Sequence, residues 1–198
     1  MSKPKQALIV VDVQNDFCPG GALAVPHGDE VVEPLNQLID EFLERGAPVY
    51  KTRDWHPAKT RHFAAYGGTW PVHCVQNTAG AEFHPALRDD QRITIVSKCT
   101  ADKDCYSPFE DTDLVAQLRN QGIEELVVGG LATDYCVKTT VLEALQNGFK
   151  VKIVKDAIRA VEVHPGDGER ALEEMRAAGA EVVDNSEQGQ KAGARIGS

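Results

Sequence analysis

The chain contains no apolar run long enough to span a bilayer, so no membrane-crossing helix is expected. It has no basic surplus either. A formal net charge of −9 argues against nucleic acid as a main partner, because phosphate binding needs a basic face. Met1–Gln6 carries two lysines, but the apolar run behind it is interrupted at Asp12, so a secretory signal is not expected. A regular cysteine framework is missing too. The five cysteines (Cys18, Cys74, Cys99, Cys105, Cys136) are odd in number. In an unexported chain they read as free thiols, metal ligands or one nucleophile rather than disulfides, and cytoplasm is the expected compartment. No internal repeat or domain boundary appears, so the 198 residues read as one well-cored domain.

What is present is a rhythm of short apolar runs and amphipathic stretches. Strand-like runs fall at Ala7–Val11, Pro48–Lys51, Ile93–Val96, Leu126–Val128 and Val151–Val154, with a weaker one at Glu181–Val183. Between them, Val31–Arg45 places Leu35, Leu38, Ile39, Phe42 and Leu43 on one helical face and stops at Gly46. Leu114–Asn120, Tyr135–Gln146 and Glu169–Ala178 stop at Gly122, Gly148 and Gly179, glycine being the residue that ends a helix cheaply. Alternating strands and helices predict βαβ units, hence a three-layer α/β/α domain with a mostly parallel sheet, Rossmann-like in type.

Two segments break that rhythm. Asp54–Asp90 is a long connection with few strand or helix signals, yet it holds His56, His62, His73, His84 and both tryptophans. Such loops in compact domains are functional or disordered, and this concentration of residues favours function. The tail Asn185–Ser198 lacks apolar periodicity and reads as loosely ordered.

Ligands of open parallel sheets bind beyond the carboxyl ends of the strands. Four segments here deliver reactive residues to such ends: Asp12, which interrupts the apolar run Leu8–Val13, Asp54 and His56 in RDWH, Lys98 after Ile93–Val96, and Cys136 in LVVGGLATDYC. Thr133 or Asp134 is expected to cap a helix, placing Cys136 in its first turn. There the positive end of the dipole lowers a thiol pKa and free N–H groups can hold an oxyanion. The charge of Asp134 opposes this unless it points away. Taken alone, the segment equally describes a small buried core cysteine. Asp12 in a buried strand needs a partner, and burial raises a carboxyl pKa toward that of a useful base. Lys98 could supply that partner, although a structural ion pair or a lysine reaching for water fits it as well.

Asp54 and His56 are two apart, a spacing that points both side chains to one side of an extended chain. With His62 and His73 they offer a carboxylate and imidazoles suited to zinc, iron or manganese, with too few thiolates for a structural zinc cluster. A lone Asp-x-His does not separate ligands from surface histidines in a polar loop.

QNDFCPGGAL, DWHP, WPVHC at Trp70–Cys74, the strand-end Lys98 and GLATDYCV at Gly130–Val137 occur in one order over about Ala7–Val183. Together they closely resemble the nicotinamidases (pyrazinamidases), members of the isochorismatase-like cysteine hydrolases. The resemblance implies a catalytic triad of Asp12, Lys98 and Cys136, with Cys136 as nucleophile and Asp12 as base. It implies a divalent metal, zinc foremost, on Asp54, His56 and His73, with His62 matching an extra histidine of some members. It further implies a cis peptide at Leu131–Ala132 and an oxyanion hole from the N–H groups of Ala132 and Cys136. Phe17, Trp70 and Tyr106 match the aromatic walls of a pyridine pocket, with Leu131, Ala132 and Tyr135 beside them. Cys99 departs from the glycine or small residue that members often carry after the lysine.

The activity so implied is hydrolysis of nicotinamide to nicotinate and ammonia through a thioester, in NAD salvage, with pyrazinamide as a further substrate. A homo-oligomer is compatible with it. A sibling amidase acting on ureido or carbamoyl groups is the nearest rival, although such siblings generally lack the metal pair. A non-catalytic metal- or redox-responsive protein is the other, although it needs neither Asp12 nor Lys98 at strand ends.

Overall fold

The computed structural model describes residues 4–184; the tail expected to be loosely ordered lies outside the described residues. Six strands form a single sheet: β1 (Gln6–Val11), β2 (Val49–Asp54), β3 (Thr94–Lys98), β4 (Glu125–Leu131), β5 (Lys150–Arg159) and β6 (Glu181–Val183). Their order is β3-β2-β1-β4-β5-β6, and every neighbouring pair is parallel. The helices are α1 (Val32–Glu44), α2 (Leu114–Asn120), α3 (Lys138–Gln146) and α4 (Asp167–Ala177). No helix among the described residues is long and apolar enough to cross a membrane.

The period-two pattern of the strands divides the core in two. Leu8 and Val10 of β1 pack with Leu35, Leu38, Ile39 and Phe42 of α1 on one face. Ala7, Ile9 and Val11 pack with Leu118 of α2, Val141 of α3 and Met175 of α4 on the other. Three layers result, as the alternation of elements predicts.

The chain builds β1, β2 and β3 outward in one direction, then returns to place β4 on the other side of β1. The carboxyl ends of β1 and β4 therefore flank the switch point, where a crevice opens in sheets of this kind. Close approach of these two strands demands a glycine. Gly130 sits opposite Val11 at φ +125°, and a Cβ there would fall 2.1 Å from the Val11 carbonyl oxygen.

The long connection after β2 is ordered by contacts with itself and with the loop after β1. Isolated bridges pair His56 with Val75 and Phe63 with Trp70. Asp16 accepts hydrogen bonds from Cys74 N (2.7 Å) and Ala22 N (3.2 Å). The first ties the histidine-bearing loop to the NDF turn that follows β1, and the second closes that turn on itself.

Candidate active site

At the end of β1 the chain turns at Asp12, whose φ of +49° puts it in the left-handed region. Its N–H donates to the Thr52 carbonyl at 3.2 Å, and Thr52 Oγ1 donates to Asp12 Oδ1 at 2.6 Å. Lys98, the last residue of β3, reaches across the strand ends. Its Nζ lies 2.9 Å from Asp12 Oδ2, donates to Asp54 Oδ1, and is 3.5 Å from Cys136 Sγ. Asp12, Asp54, Lys98 and Cys136 are all buried. The structure thus brings the three expected triad residues together around one ammonium.

Their ionisation follows from that burial. Desolvation raises the Asp12 carboxyl above its usual range, although Lys98 and the Thr52 hydroxyl pull it back. Burial opposes the charge of Lys98, yet Asp12, Asp54 and Cys136 hold its pKa well above the usual lysine value. Burial likewise opposes the charge of Asp54, but Lys98, His56 and His73 keep it ionised far below the ordinary range. Burial pushes the Cys136 thiol well up, against the pull of Lys98, and the nearby Asp12 and Asp54 add to the rise. This corrects the expectation of a thiol acidified by its helix end. Desolvation and two nearby carboxylates favour the neutral thiol over the thiolate.

The local geometry around Cys136 differs from the expected capped helix. Thr133–Val137 forms a single wide turn that leads into α3, with Ala132 at its N-cap and no side-chain cap. The N–H of Val137 reaches back five residues to the Ala132 carbonyl at 3.1 Å. Cys136 still lies in the first turn, where leading N–H groups lack intrahelical acceptors. Neither Thr133 nor Asp134 caps that turn. Asp134 turns aside instead, accepting hydrogen bonds from Val161 N (2.9 Å) and Glu162 N (3.0 Å). Its charge is spent on the loop after β5. The Leu131–Ala132 peptide is cis.

Next to Lys98, Asp54 turns its other oxygen toward two histidines. Asp54 Oδ2 is 3.5 Å from His56 Nε2 and 3.9 Å from His73 Nε2. One ligand nitrogen from each of His56, His62 and His73 lies within 4.8 Å of the others, and all three side chains are buried. His73 Nδ1 pairs with the Pro71 carbonyl at 2.7 Å, and His62 Nδ1 with Asp104 Oδ1 at 2.5 Å, which leaves the Nε2 atoms to a ligand. Burial keeps His62 below the ordinary histidine value and takes His73 down to about 4, so the His73 imidazole is neutral at neutral pH. Both ring nitrogens of His56 are buried without a hydrogen-bond partner. A buried imidazole with no partner is costly, and a cation among these donors would satisfy it. The donor set fits a divalent metal. His84, the fourth histidine of the loop, instead accepts from Ala86 N.

Asp54 itself is fixed by Gln14, whose Oε1 accepts from Asp54 N (2.7 Å) and whose Nε2 donates to the Asp54 carbonyl (2.8 Å). Gln14, Thr52 and Asp104 all hold site residues in place and were not expected from the sequence. Gln14 falls in the same QND segment as Asp16, which is a usable signal, but Thr52 sits in the polar half of β2 beside Lys51, Arg53 and Asp54. Asp104 carried none.

Above the cysteine lies a small pocket. Phe17, Trp70, Tyr106, Ala132 and Tyr135 line it as expected, with Asp54, His62, His73 and Cys136. Trp70 Nε1 donates to the Tyr106 hydroxyl at 2.9 Å, and the Trp70 and Tyr135 rings meet edge to face at 4.8 Å. Leu131 does not line it; its side chain turns into the α1 side of the core. Leu23, Val25 and Val161 complete the apolar wall in its place.

A second correction concerns the thiols. Cys18, Cys74 and Cys136 are free and buried, but Cys99 and Cys105 form a disulfide. Backbone proximity across a six-residue turn, with a Cα–Cα distance of 5.4 Å, permits a bond that cysteine counting did not suggest.

A thiol, a carboxylate and an ammonium at the switch point of a parallel sheet define a cysteine-hydrolase arrangement. The Isochorismatase domain profile matches residues 6–187, and the chain belongs to the isochorismatase family. Within that family it is similar to the nicotinamidase of Escherichia coli, at 46% identity over 89% of this chain and 93% of the relative. The nicotinamidase/pyrazinamidase of Mycobacterium tuberculosis is 40% identical over 91% of this chain and 100% of its own. A crystal structure of the pyrazinamidase of Pyrococcus horikoshii in complex with zinc superposes with a TM-score of 0.87. It is 48% identical, covering 91% of this chain and 99% of that one.

Proposed function

We propose that this chain is a nicotinamidase that hydrolyses nicotinamide to nicotinate and ammonia through a thioester on Cys136. The observation that carries it is the junction at Lys98, whose ammonium joins Asp12, Asp54 and Cys136 beneath an aromatic pocket. The family relatives supply the substrate, and the pocket supplies the fit: a small apolar slot for one planar ring, with nucleophile and metal donors at its floor.

Asp54, His56, His62 and His73 would hold a divalent metal, zinc being the ion that suits one carboxylate and three imidazoles. When bound, that ion supplies a Lewis-acid anchor for the ring nitrogen and thereby orients the carboxamide. The remaining steps belong to the chain. Asp12 takes the Cys136 proton as sulfur bonds to the amide carbon, and Lys98 steadies the negative charge that sits on sulfur or carboxylate in turn. The N–H groups of Ala132 and Cys136 face the oxyanion. The C–N bond then breaks, with Asp12 returning its proton to the departing amine as ammonia. Water next attacks the thioester while Asp12 takes its proton; the C–S bond breaks, nicotinate leaves and the thiol is restored. The raised pKa of Asp12 suits a group that must both accept and return a proton. Pyrazinamide, which differs by one ring nitrogen, meets the same requirements.

The test is ammonia release from nicotinamide by purified, metal-replete protein, with an N-carbamoyl substrate run in parallel. Turnover of nicotinamide is expected. Ammonia from the carbamoyl substrate alone, or from neither, would overturn the assignment.

A further inference from the structure

The loop between β3 and α2 carries a feature that the hydrolysis does not use. Cys99 and Cys105 are bonded to each other, and each is 3% exposed. The two ends of this link touch different parts of the site. Cys99 directly follows Lys98, with its Sγ 3.9 Å from Nζ. Cys105 lies between Asp104, which pairs with His62, and Tyr106, whose hydroxyl accepts from Trp70. The disulfide therefore ties the strand end that bears the ammonium to the segment that orients one imidazole and forms one pocket wall.

Two further observations make that tie consequential. Cys99 sits at φ +58°, a left-handed conformation that a residue with a Cβ adopts at a cost. The Asp104 side chain is 62% exposed, so its grip on His62 depends on the loop being fixed from elsewhere. Arg61 N donates to Asp102 at 2.7 Å, a tie between the loop and the histidine segment that does not pass through the disulfide. Opening loosens the loop rather than removing it.

We propose that Cys99–Cys105 is a thiol–disulfide modification site that sets how tightly the enzyme holds its metal and its substrate ring. The proposal rests on the reading of the neighbouring site as a metal-holding amidase. Its reductant is a dithiol. One thiolate of the dithiol attacks a cystine sulfur to give a mixed disulfide, and the second displaces it. Two electrons and two protons pass to Cys99 and Cys105, and the dithiol leaves as its own disulfide. The exposed stretch 100–102 beside the link is the side from which it is reached.

The experiment compares air-oxidised and dithiol-reduced protein, both freed of reagent, with thiols counted after denaturation. Three thiols are expected in the oxidised form and five in the reduced form, since the chain has five cysteines and one disulfide. Metal retention against a chelator and the steady-state constants for nicotinamide are then measured. Reduction is expected to weaken metal retention by on the order of tenfold, the usual effect of losing a partner that orients a ligand. KM should rise more than kcat falls, because Asp12, Lys98 and Cys136 lie outside the loop. Cys99→Gly, which suits the left-handed backbone, should behave as the reduced protein and ignore the dithiol; Cys105→Ser should do the same. Five thiols after air oxidation, unchanged retention and KM on full reduction, or a dithiol response that persists in Cys99→Gly would each overturn the proposal. Metal retention is read without substrate. A redox-dependent grip in a protein that releases no ammonia would therefore refute the amidase reading while leaving the switch in place.

Discussion

Thr52 offers a sharp test of how the base is tuned. Its hydroxyl donates to Asp12 Oδ1 at 2.6 Å in a fully buried setting, where no water replaces it. Thr52→Val keeps nearly the same volume and removes that donor. A hydrogen bond to an ionised group is worth about 1.5–3 kcal/mol, and one between neutral groups about 0.5–1.5 kcal/mol. The difference, about 1.2 kcal/mol, is what the hydroxyl contributes to the carboxylate over the acid, or about 0.9 of a pH unit. Burial already lifts the Asp12 carboxyl above 3.8, and the Thr52 hydroxyl works against that lift, so its loss raises the pKa further. Asp12 must be ionised to accept the thiol proton. Activity is therefore lost as pH falls through this pKa, and the variant loses it at higher pH. The assay is the pH profile of kcat/KM from ammonia release. The acid limb should move upward by about one unit, as estimated from the hydrogen-bond difference. A limb that stays in place while kcat/KM drops at every pH would show a merely structural role and refute the reasoning.

Other perturbations probe separate parts of the site. Lys98→Met leaves Asp12 and Asp54 buried beside each other without their cation; a loss of about 3–5 kcal/mol is expected from breaking a buried ion pair, and an unchanged urea midpoint would contradict it. Gly130→Ala drives a Cβ to 2.1 Å from the Val11 carbonyl at a φ of +125°, so a stability loss on the order of 3 kcal/mol is expected; a wild-type melting temperature would show that β1 and β4 can separate freely. His56→Ala removes an imidazole whose ring nitrogens have no hydrogen-bond partner; metal analysis after gel filtration should find the ion lost, and full metal content would remove His56 from the ligand set.

Much of the fold was legible because period-two and helical patterns mark its elements directly. Each of the six apolar runs became a strand, but several strands outlast their runs. The expected Pro48–Lys51 continues to Asp54, since the backbone ladder with β3 persists through Thr52, Arg53 and Asp54 whatever their side chains. Those polar extensions are what carry the reactive groups to the crevice. The convergence of Asp12, Lys98 and Cys136 is legible as residue types placed at strand ends, while their electrostatics are not. A helix end read locally acidifies Cys136, whereas the folded molecule buries it beside two carboxylates. The histidine cluster was visible as composition, but convergence of His56, His62 and His73 depends on how the loop bridges to itself. The Cys99–Cys105 bond is not legible in the sequence, because an odd cysteine count with no framework points away from pairing. The motif resemblance places Leu131 at the pocket, whereas β-strand alternation turns it into the core.

The measurement that tests the central claim most directly is the covalent state of Cys136 during turnover. Metal-replete protein mixed with nicotinamide and acid-quenched within the first turnover should show, by intact mass and peptide mapping, a nicotinoyl group on Cys136. Cys136→Ala should keep its metal, form no adduct and release no ammonia. An adduct confined to Cys136 in the wild type is the result the account predicts. Ammonia release by Cys136→Ala at a substantial fraction of the wild-type rate would contradict it.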